Sequence, residues 1–416
     1  MDRKMGKEVF KCGRSSCRVS LVGACLASLT PGAVWLGQSG EAVWAATPSD
    51  PQQKPANRFT ADAPQISWAP YVWKRFGSDA TARAEATMPG AYLKTAFQGS
   101  ASICLLIDGT TNNGCPPASM PIIDYSVDDG PFKSVQLRTT AEVYALPLAE
   151  GLDSGARHRL EVQFRSAALG PGRWNTSTVH LRIAGIELQQ GGSLLDAPRR
   201  PKLAIGYGDS ITEGVCNEGP CPYYSNLLMN NARATWFPLV CGGLNCEYGQ
   251  LGTGGQGMVR PMEIPPLPQT WDRYDATTSR LTGELLLPEP DYIFCAMGTN
   301  DFRMTADQRE QINITEAYTA WLVAIRKACP RSQCFCIVPP LGWHANEIEA
   351  AAAARNRAGD RRVYLIDTAP LSAAFHESRA TQLAPDGVHP SVYGNALLAT
   401  LIAVEIQKKL DQGANP

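Results

Sequence analysis

Excess charge of either sign is what this 416-residue chain most plainly lacks: 38 Lys and Arg stand against 39 Asp and Glu, and charged residues make up only 19%. A formal charge of −1 gives no global field to gather polyanions, which argues against a nucleic-acid binder. Cysteine is too sparse for a disulfide-stapled miniprotein, 13 residues in a chain of this length, and the Cys-x2-Cys knuckles of structural zinc are missing. No G-x-G-x-x-G opens the first strand-helix unit, and no Lys-Ser/Thr follows the glycine-rich loop at 252–257, so a nucleotide site is disfavoured. What is present is 44% hydrophobic residues with 37 Gly and 31 Pro, an ordered, loop-rich globule long enough for two domains.

The N-terminus has its own pattern. Arg3, Lys4, Lys7, Lys11, Arg14 and Arg18 outnumber Asp2 and Glu8, and no charge then occurs from Val19 to Gly40. A basic stretch, an apolar stretch and small residues at Ala45 and Ala46 predict a signal peptide over 1–46, with no stable membrane association once it is cleaved. An uncleaved single-span anchor, or a lipoprotein box at Val22-Gly23-Ala24-Cys25, are the lesser readings, and all three send the chain out of the cytoplasm, to a secreted or periplasmic location. Close cysteine pairs (104 with 115, 216 with 221, 241 with 246, 329 with 334) suit short-loop disulfides in such a compartment. Cys295 and Cys336 sit inside strand-like runs and are expected to be buried thiols.

Residues 47–64 are polar and Pro-rich at their start and read as a flexible leader. Over 65–190, short apolar runs (91–97, 102–108, 122–127, 134–137, 143–148, 158–164, 178–188) alternate with turn signals such as Asp108-Gly109 and Asp128-Asp129-Gly130. That rhythm predicts an antiparallel β-sandwich. Gly and Pro in 191–201 mark a linker. From 202 to 416 the pattern becomes α/β: compact strands at 203–207, 291–297, 334–338 and 363–366, with helical spacing at 315–327 and 392–408. Alternating buried strands and helices predict a parallel sheet covered on both faces, with ligands at the carboxyl ends of its strands.

Chemistry-bearing residues fall at those ends. Gly208-Asp209-Ser210 follows the first strand, and a Ser there projects into the crevice but needs a base to become a nucleophile. Asp386-Gly387-Val388-His389 supplies one, because a three-residue step lets the carboxylate take Nδ1–H of the same imidazole and leaves Nε2 for the Ser. Gly298-Thr299-Asn300-Asp301 ends another strand and offers an amide to a developing oxyanion, and the glycines of 252–257 allow backbone N–H groups to approach a ligand. Each block alone has an ordinary reading as a turn or cap.

The four blocks in this order resemble the SGNH, or GDSL, hydrolase family over residues 202 to about 410. That resemblance implies a flavodoxin-like three-layer α/β/α domain in which Ser210 is the nucleophile, His389 the base and Asp386 its orienter. The oxyanion hole it implies is the N–H of Ser210, the N–H of Gly255 and the Asn300 amide, with Gly254 an equal alignment for Gly255. A β-domain upstream, of a jelly-roll-like kind, makes the whole chain similar to the second family of carbohydrate esterases. The resemblance implies a serine esterase that removes acetyl groups from a carbohydrate partner, with no metal and no organic cofactor. A lipase-like or arylesterase activity on simple esters, and a non-catalytic polysaccharide-binding protein, are the alternatives. Trp271 and Trp343 lie in loops where an aromatic stacks on a sugar face, with core packing an equally good account. His158, His180, His344 and His376 have no carboxylate at a triad-like spacing.

Overall fold

The structure is a computed structural model that describes residues 56–168, 179–220, 226–260, 264–280, 288–302, 313–368, 386–413 and the single positions 370, 371, 375 and 383. The expected signal peptide lies outside the described residues, as do Cys221 and His376. Among the described residues no helix is long and apolar enough to cross a membrane.

The described part of the first half is built of strands, joined by turns and three short 3-10 helices: β1 (Ala56–Thr60), β2 (Ser67–Trp68), β3 (Lys74–Phe76), β4 (Arg83–Ala86), β5 (Tyr92–Gln98) and β6 (Ile103–Asp108). They are followed by β7 (Ile122–Val127), β8 (Lys133–Gln136), β9 (Val143–Ala149), β10 (His158–Ser166), β11 (Leu181–Gln189) and β12 (Ser193–Leu195). These make two antiparallel sheets, one in the order β3-β4-β11-β6-β9 with β1 on β11, the other β12-β5-β10-β7-β8 with β2 on β5. The inward residues Leu93, Phe97, Ile103, Leu105, Leu160, Phe164, Ile183 and Ile186 are almost wholly buried, the alternation a sandwich requires.

Two of the expected boundaries shift. The leader expected over 47–64 already contains β1, which pairs antiparallel with β11. Its polar composition fits an edge position, where Arg58 Nε donates to Glu187 Oε2 at 2.7 Å. The linker expected over 191–201 contributes β12, which pairs with β5 and buries Leu194.

The second half holds β13 (Lys202–Gly208), α1 (Ser210–Glu213), α2 (Trp236–Gly243), β14 (Cys246–Gly252), α3 (Leu267–Thr270), β15 (Tyr292–Ala296) and α4 (Thr299–Phe302). After these come α5 (Ile314–Ala328), β16 (Gln333–Ile337), α6 (Ala345–Arg357), β17 (Val363–Ile366) and α7 (Val392–Gly413). All five strands are parallel, in the order β14-β13-β15-β16-β17, which is the 2-1-3-4-5 winding of flavodoxin-like sheets. Consecutive residues of β13 show the two covered faces. Gly206 faces the Phe237 ring of α2, leaving no room for a Cβ, while the Tyr207 ring meets Trp321 of α5 edge-on at 5.7 Å.

Sandwich and parallel sheet belong to one compact unit, Ser49–Pro416, with a continuous core. Edge strand β14 lies so close to the sandwich that a Cβ on Gly249 would come 2.3 Å from the Pro70 carbonyl oxygen. Glu247 on the same strand accepts from the Tyr92 hydroxyl, from Lys94 Nζ at 3.1 Å and from the Arg200 N–H at 3.0 Å. Burial favours the neutral acid there, but the Lys94 charge and the Tyr92 hydroxyl hold the carboxyl below its usual range. Arg165 of β10 bridges Asp124 at 3.3 Å and Glu218 and donates to the Leu228 carbonyl at 3.0 Å.

Three of the four expected disulfides do not form: Cys104, Cys241, Cys246, Cys329 and Cys334 are thiols, so none of the pairs 104–115, 241–246 and 329–334 is joined, and the pair 216–221 reaches outside the described residues at Cys221. Burial pushes the Cys241 thiol up and that of Cys334 up to about 12, and a buried protonated thiol is a poor partner for exchange. Their sulfurs have other roles, since Cys246 donates to the Leu244 carbonyl at 3.4 Å and Cys334 accepts from Arg326 Nη2 at 3.7 Å. Cys295 and Cys336 are buried thiols in register on β15 and β16, as their strand-like surroundings predict.

Gly206→Ala drives a methyl group into the Phe237 ring, and we expect a loss of about 1–3 kcal/mol, the usual cost of overpacking. Urea unfolding of the two proteins checks it.

Candidate active site

Strand β13 ends in a turn that the sequence writes out in full. Asp209 caps α1, its Oδ1 accepting the Ile211 N–H at 2.9 Å, a role short polar side chains favour at helix starts. Ser210 is the first helical residue and Gly214 ends the turn in the left-handed region at φ +86°. The turn is braced from behind by Thr212, whose Oγ1 accepts from Trp236 Nε1 at 3.2 Å.

His389 reaches Ser210 from the segment before α7. Its Nε2 lies 2.8 Å from Ser210 Oγ and its Nδ1 2.5 Å from Asp386 Oδ2. The other Asp386 oxygen accepts the N–H groups of Val388 and His389 at 2.9 and 3.1 Å, a turn that requires Gly387 at φ +70°. Thus the carboxylate orients the ring of the same turn, as the three-residue spacing predicts. Partial burial raises the Asp386 pKa, but the His389 hydrogen bond and charge, with the two N–H groups, outweigh it and bring the carboxyl to about 2. Asp209 is the opposite case: wholly buried, it is pushed up to about 6 in spite of the Ile211 N–H. Ser210, His389 and Asn300 are buried.

The glycine loop and the Asn300 turn are tied to this pair and to each other. Thr253 N–H donates to the Gly208 carbonyl at 3.0 Å, and Gly254 N–H donates to Glu213 Oε2 at 2.7 Å. The latter bond distinguishes the two glycines: Gly254 has its N–H committed to Glu213, whereas among the described residues Gly255, at φ +81°, donates to no acceptor, and neither does Ser210 N–H. Asn300 Nδ2 donates to the Gln256 carbonyl at 2.9 Å, which leaves its second amide hydrogen for a ligand.

Three residues essential to this arrangement were not singled out by the sequence reading. Asp301, wholly buried, accepts the N–H groups of Met258, Val259 and Arg260 at 2.8, 3.0 and 3.0 Å. Glu213 holds Gly254, and Arg260 Nη1 donates to the Asn300 carbonyl at 3.1 Å. Asp301 lies next to Asn300 in the same block, the one hint the sequence offers; the other two carry none.

The two tryptophans separate. Trp343 stacks on Phe302 at 4.5 Å with the rings 6° apart, at the end of the helix that carries Asn300. Trp271 packs against the core and lines a cavity behind the glycine loop. Of the other histidines, His158 pairs with Asp128 and His180 with Glu85 inside the sandwich. His344 stands beside Glu347 at 3.5 Å, with its ring edge-on to Phe302. Among the described residues, one cluster of metal-ligating side chains occurs, Cys216 with Asp386 and His389, donor atoms within 4.8 Å of each other. Two of these three are the His–Asp pair already bonded together.

The pH dependence of stability follows from the buried cap. Because burial raises the Asp209 pKa, its contribution is full below about pH 4 and is lost as pH rises through about 6. Asp209→Asn keeps an N-cap acceptor and removes the titration, so we expect its urea midpoint to lose the decline between pH 4 and 6 that the parent shows.

Comparison with known proteins agrees with this geometry. Residues 207–397 match the GDSL-like lipase/acylhydrolase family, and no curated protein matches the chain. Among solved structures, a family two carbohydrate esterase from Cellvibrio japonicus is similar at 18% identity and TM-score 0.65, covering 86% of this chain and 99% of that one. A family two carbohydrate esterase from Clostridium thermocellum, solved with cellohexaose, is similar at 22% identity and TM-score 0.61, covering 83% and 99%. An acetyl xylan esterase from the rumen bacterium Butyrivibrio proteoclasticus is similar at 16% identity and TM-score 0.64, covering 86% and 99%. The chain therefore has the two-part fold seen in those esterases, and its residues 207–397 are the part that matches the GDSL-like lipase/acylhydrolase family.

Proposed function

We propose that the protein is a secreted carbohydrate esterase that removes O-acetyl groups from a polysaccharide or oligosaccharide through an acyl-enzyme. The observation that carries the reading is the unbroken relay Asp386–His389–Ser210, at 2.5 and 2.8 Å. His389 Nε2 takes the Ser210 proton as Oγ attacks the ester carbonyl, and Asp386 holds the ring in the tautomer that keeps Nε2 free. The N–H groups of Ser210 and Gly255 and the Asn300 amide receive the oxyanion. The tetrahedral intermediate collapses, the C–O bond to the sugar breaks, and the alcohol leaves with the proton from His389. Water, deprotonated by the same ring, then attacks the acetyl-Ser210 ester and releases acetate. The carbohydrate assignment is supported by the fold shared with family two carbohydrate esterases and by the Trp343–Phe302 stack beside Asn300, an aromatic face of the kind that sugars stack on.

Acetate release from acetylated xylan and acetylated glucomannan, with nitrophenyl esters of increasing chain length, tests the reading. We expect acetate from a polysaccharide, preference for the shortest acyl chain, no turnover by Ser210→Ala, and a kcat lowered about 10²–10³-fold by Asn300→Ala. Best cleavage of long chains shifts the assignment to a lipase-like enzyme, and carbohydrate binding without any cleavage shifts it to a binding protein.

Export is proposed from the basic and apolar stretches of 1–46. N-terminal sequencing of the protein recovered outside the cytoplasm is expected to begin just after Ala45 or Ala46. A chain starting at Met1 there rules out the cleavage.

A further inference from the structure

Behind the glycine loop is a cavity that the proposed mechanism does not use. Met88 of the sandwich, Leu251, Ile264, Leu267 and Trp271 give it apolar walls, and Arg280 lines it as well. Arg280 is 4% exposed, and its surroundings are unusual for a guanidinium at that depth. One arm, Nη1, donates to the Tyr71 carbonyl, and the charge lies 5.4 Å from the centre of the Tyr274 ring. Its Nε has no hydrogen-bond partner, and among the described residues no carboxylate comes within ion-pair distance. Nearby acids are otherwise engaged: Asp275 accepts from Thr277 and Thr278 and pairs with Lys74 at 3.7 Å, while Asp272 stands 4.0 Å from the exposed Arg273. A buried cation normally has a counter-charge, because desolvating it alone is costly.

We infer that this cavity is a binding site for a small carboxylate, held by the Arg280 guanidinium with its carbon end against the apolar wall. The free volume, about 20 Å³, is slightly more than the roughly 10–15 Å³ a single water requires. Space of that order favours a small ligand over a sugar ring. A guanidinium fork matches the two oxygens of a carboxylate better than it matches a spherical ion. The position gives the site a consequence, because Thr253 and Gln256 both line the cavity and flank the Gly254-Gly255 turn. Occupancy therefore bears on the loop that offers Gly255 N–H. The inference rests on the proposed deacetylation only for the identity of the ligand, acetate being that reaction's product.

Calorimetric titration of sodium acetate into the full-length Ser210→Ala protein tests it in a background with no turnover, so failure of the esterase assignment leaves the measurement intact. We expect one acetate bound per chain, little binding of butyrate, and affinity about 10- to 100-fold weaker once Arg280→Gln is added, the loss of one charge-assisted hydrogen bond. Affinity unchanged by Arg280→Gln overturns the site, and chloride bound as tightly as acetate overturns the carboxylate assignment. Should Arg280→Gln fail to fold, a crystal structure of the Ser210→Ala protein grown with bromoacetate reads the cavity directly. A bromine anomalous peak beside Arg280 supports the site, and a cavity without one overturns it.

Discussion

One buried carboxylate sets the shape of the glycine-loop side of the site. Asp301 accepts three consecutive backbone N–H groups, from Met258 to Arg260, and so fixes where the chain leaves the glycine loop. No room remains for anything larger than glycine at 257, where a Cβ would fall 2.6 Å from Asp301 Oδ1. Asp301 belongs to the helix of Asn300, so the amide and the loop it faces are positioned by one rigid unit. Glu213 does the same from the Ser210 side by holding Gly254. The loop and the Asn300 amide are thus held by carboxylates bonded to backbone, which for the proposed oxyanion hole means no reorganisation when charge develops.

The sandwich supports that arrangement from the outside. It packs on β14, the strand that runs into the glycine loop, and the closeness of Gly249 to Pro70 and of Gly90 to the Gln250 side chain shows how little slack exists. Gln250 in turn donates to the Thr212 carbonyl at 2.5 Å, inside the nucleophile turn. A path of packed and hydrogen-bonded groups therefore runs from the sandwich to Ser210. Glu247, with Tyr92, Lys94 and Arg200 around it, fastens the same strand at its other end.

Much of this was legible in the sequence wherever a local rule sufficed. The runs at 91–97, 122–127 and 158–164 became strands because alternating side chains had one face to bury, and 315–327 became helix because its apolar residues recur with helical spacing. Strand β14 was missed, since Cys-Glu-Tyr-Gly-Gln-Leu-Gly has neither alternation nor a continuous apolar run; it is buried because two layers close over it. Strands β1 and β12 were read as leader and linker because each is an edge that only a neighbouring strand defines: β1 is polar at Asn57, Arg58 and Thr60, and β12 is only three residues long. The cysteine pairs 104–115, 241–246 and 329–334 were misjudged because proximity in sequence says nothing about whether two thiols face each other or are buried apart.

The sequence by itself determined the Ser210 turn, the Asp386–His389 turn and the Asn300 block, because each is a short segment whose geometry lies within a few residues. The Asp386 carboxylate finds His389 through a turn that Gly387 permits, and no distant residue is needed to orient that ring. Tertiary structure alone decided that, among the described residues, Gly254 N–H meets Glu213 while Gly255 N–H meets no acceptor, that Asp301 and Glu213 hold the loop, and that Arg280 is buried with no carboxylate of those residues beside it. Those outcomes depend on which atoms meet across 40 residues or more of chain, and the hydrogen-bond competition that settles them exists only once the layers have packed.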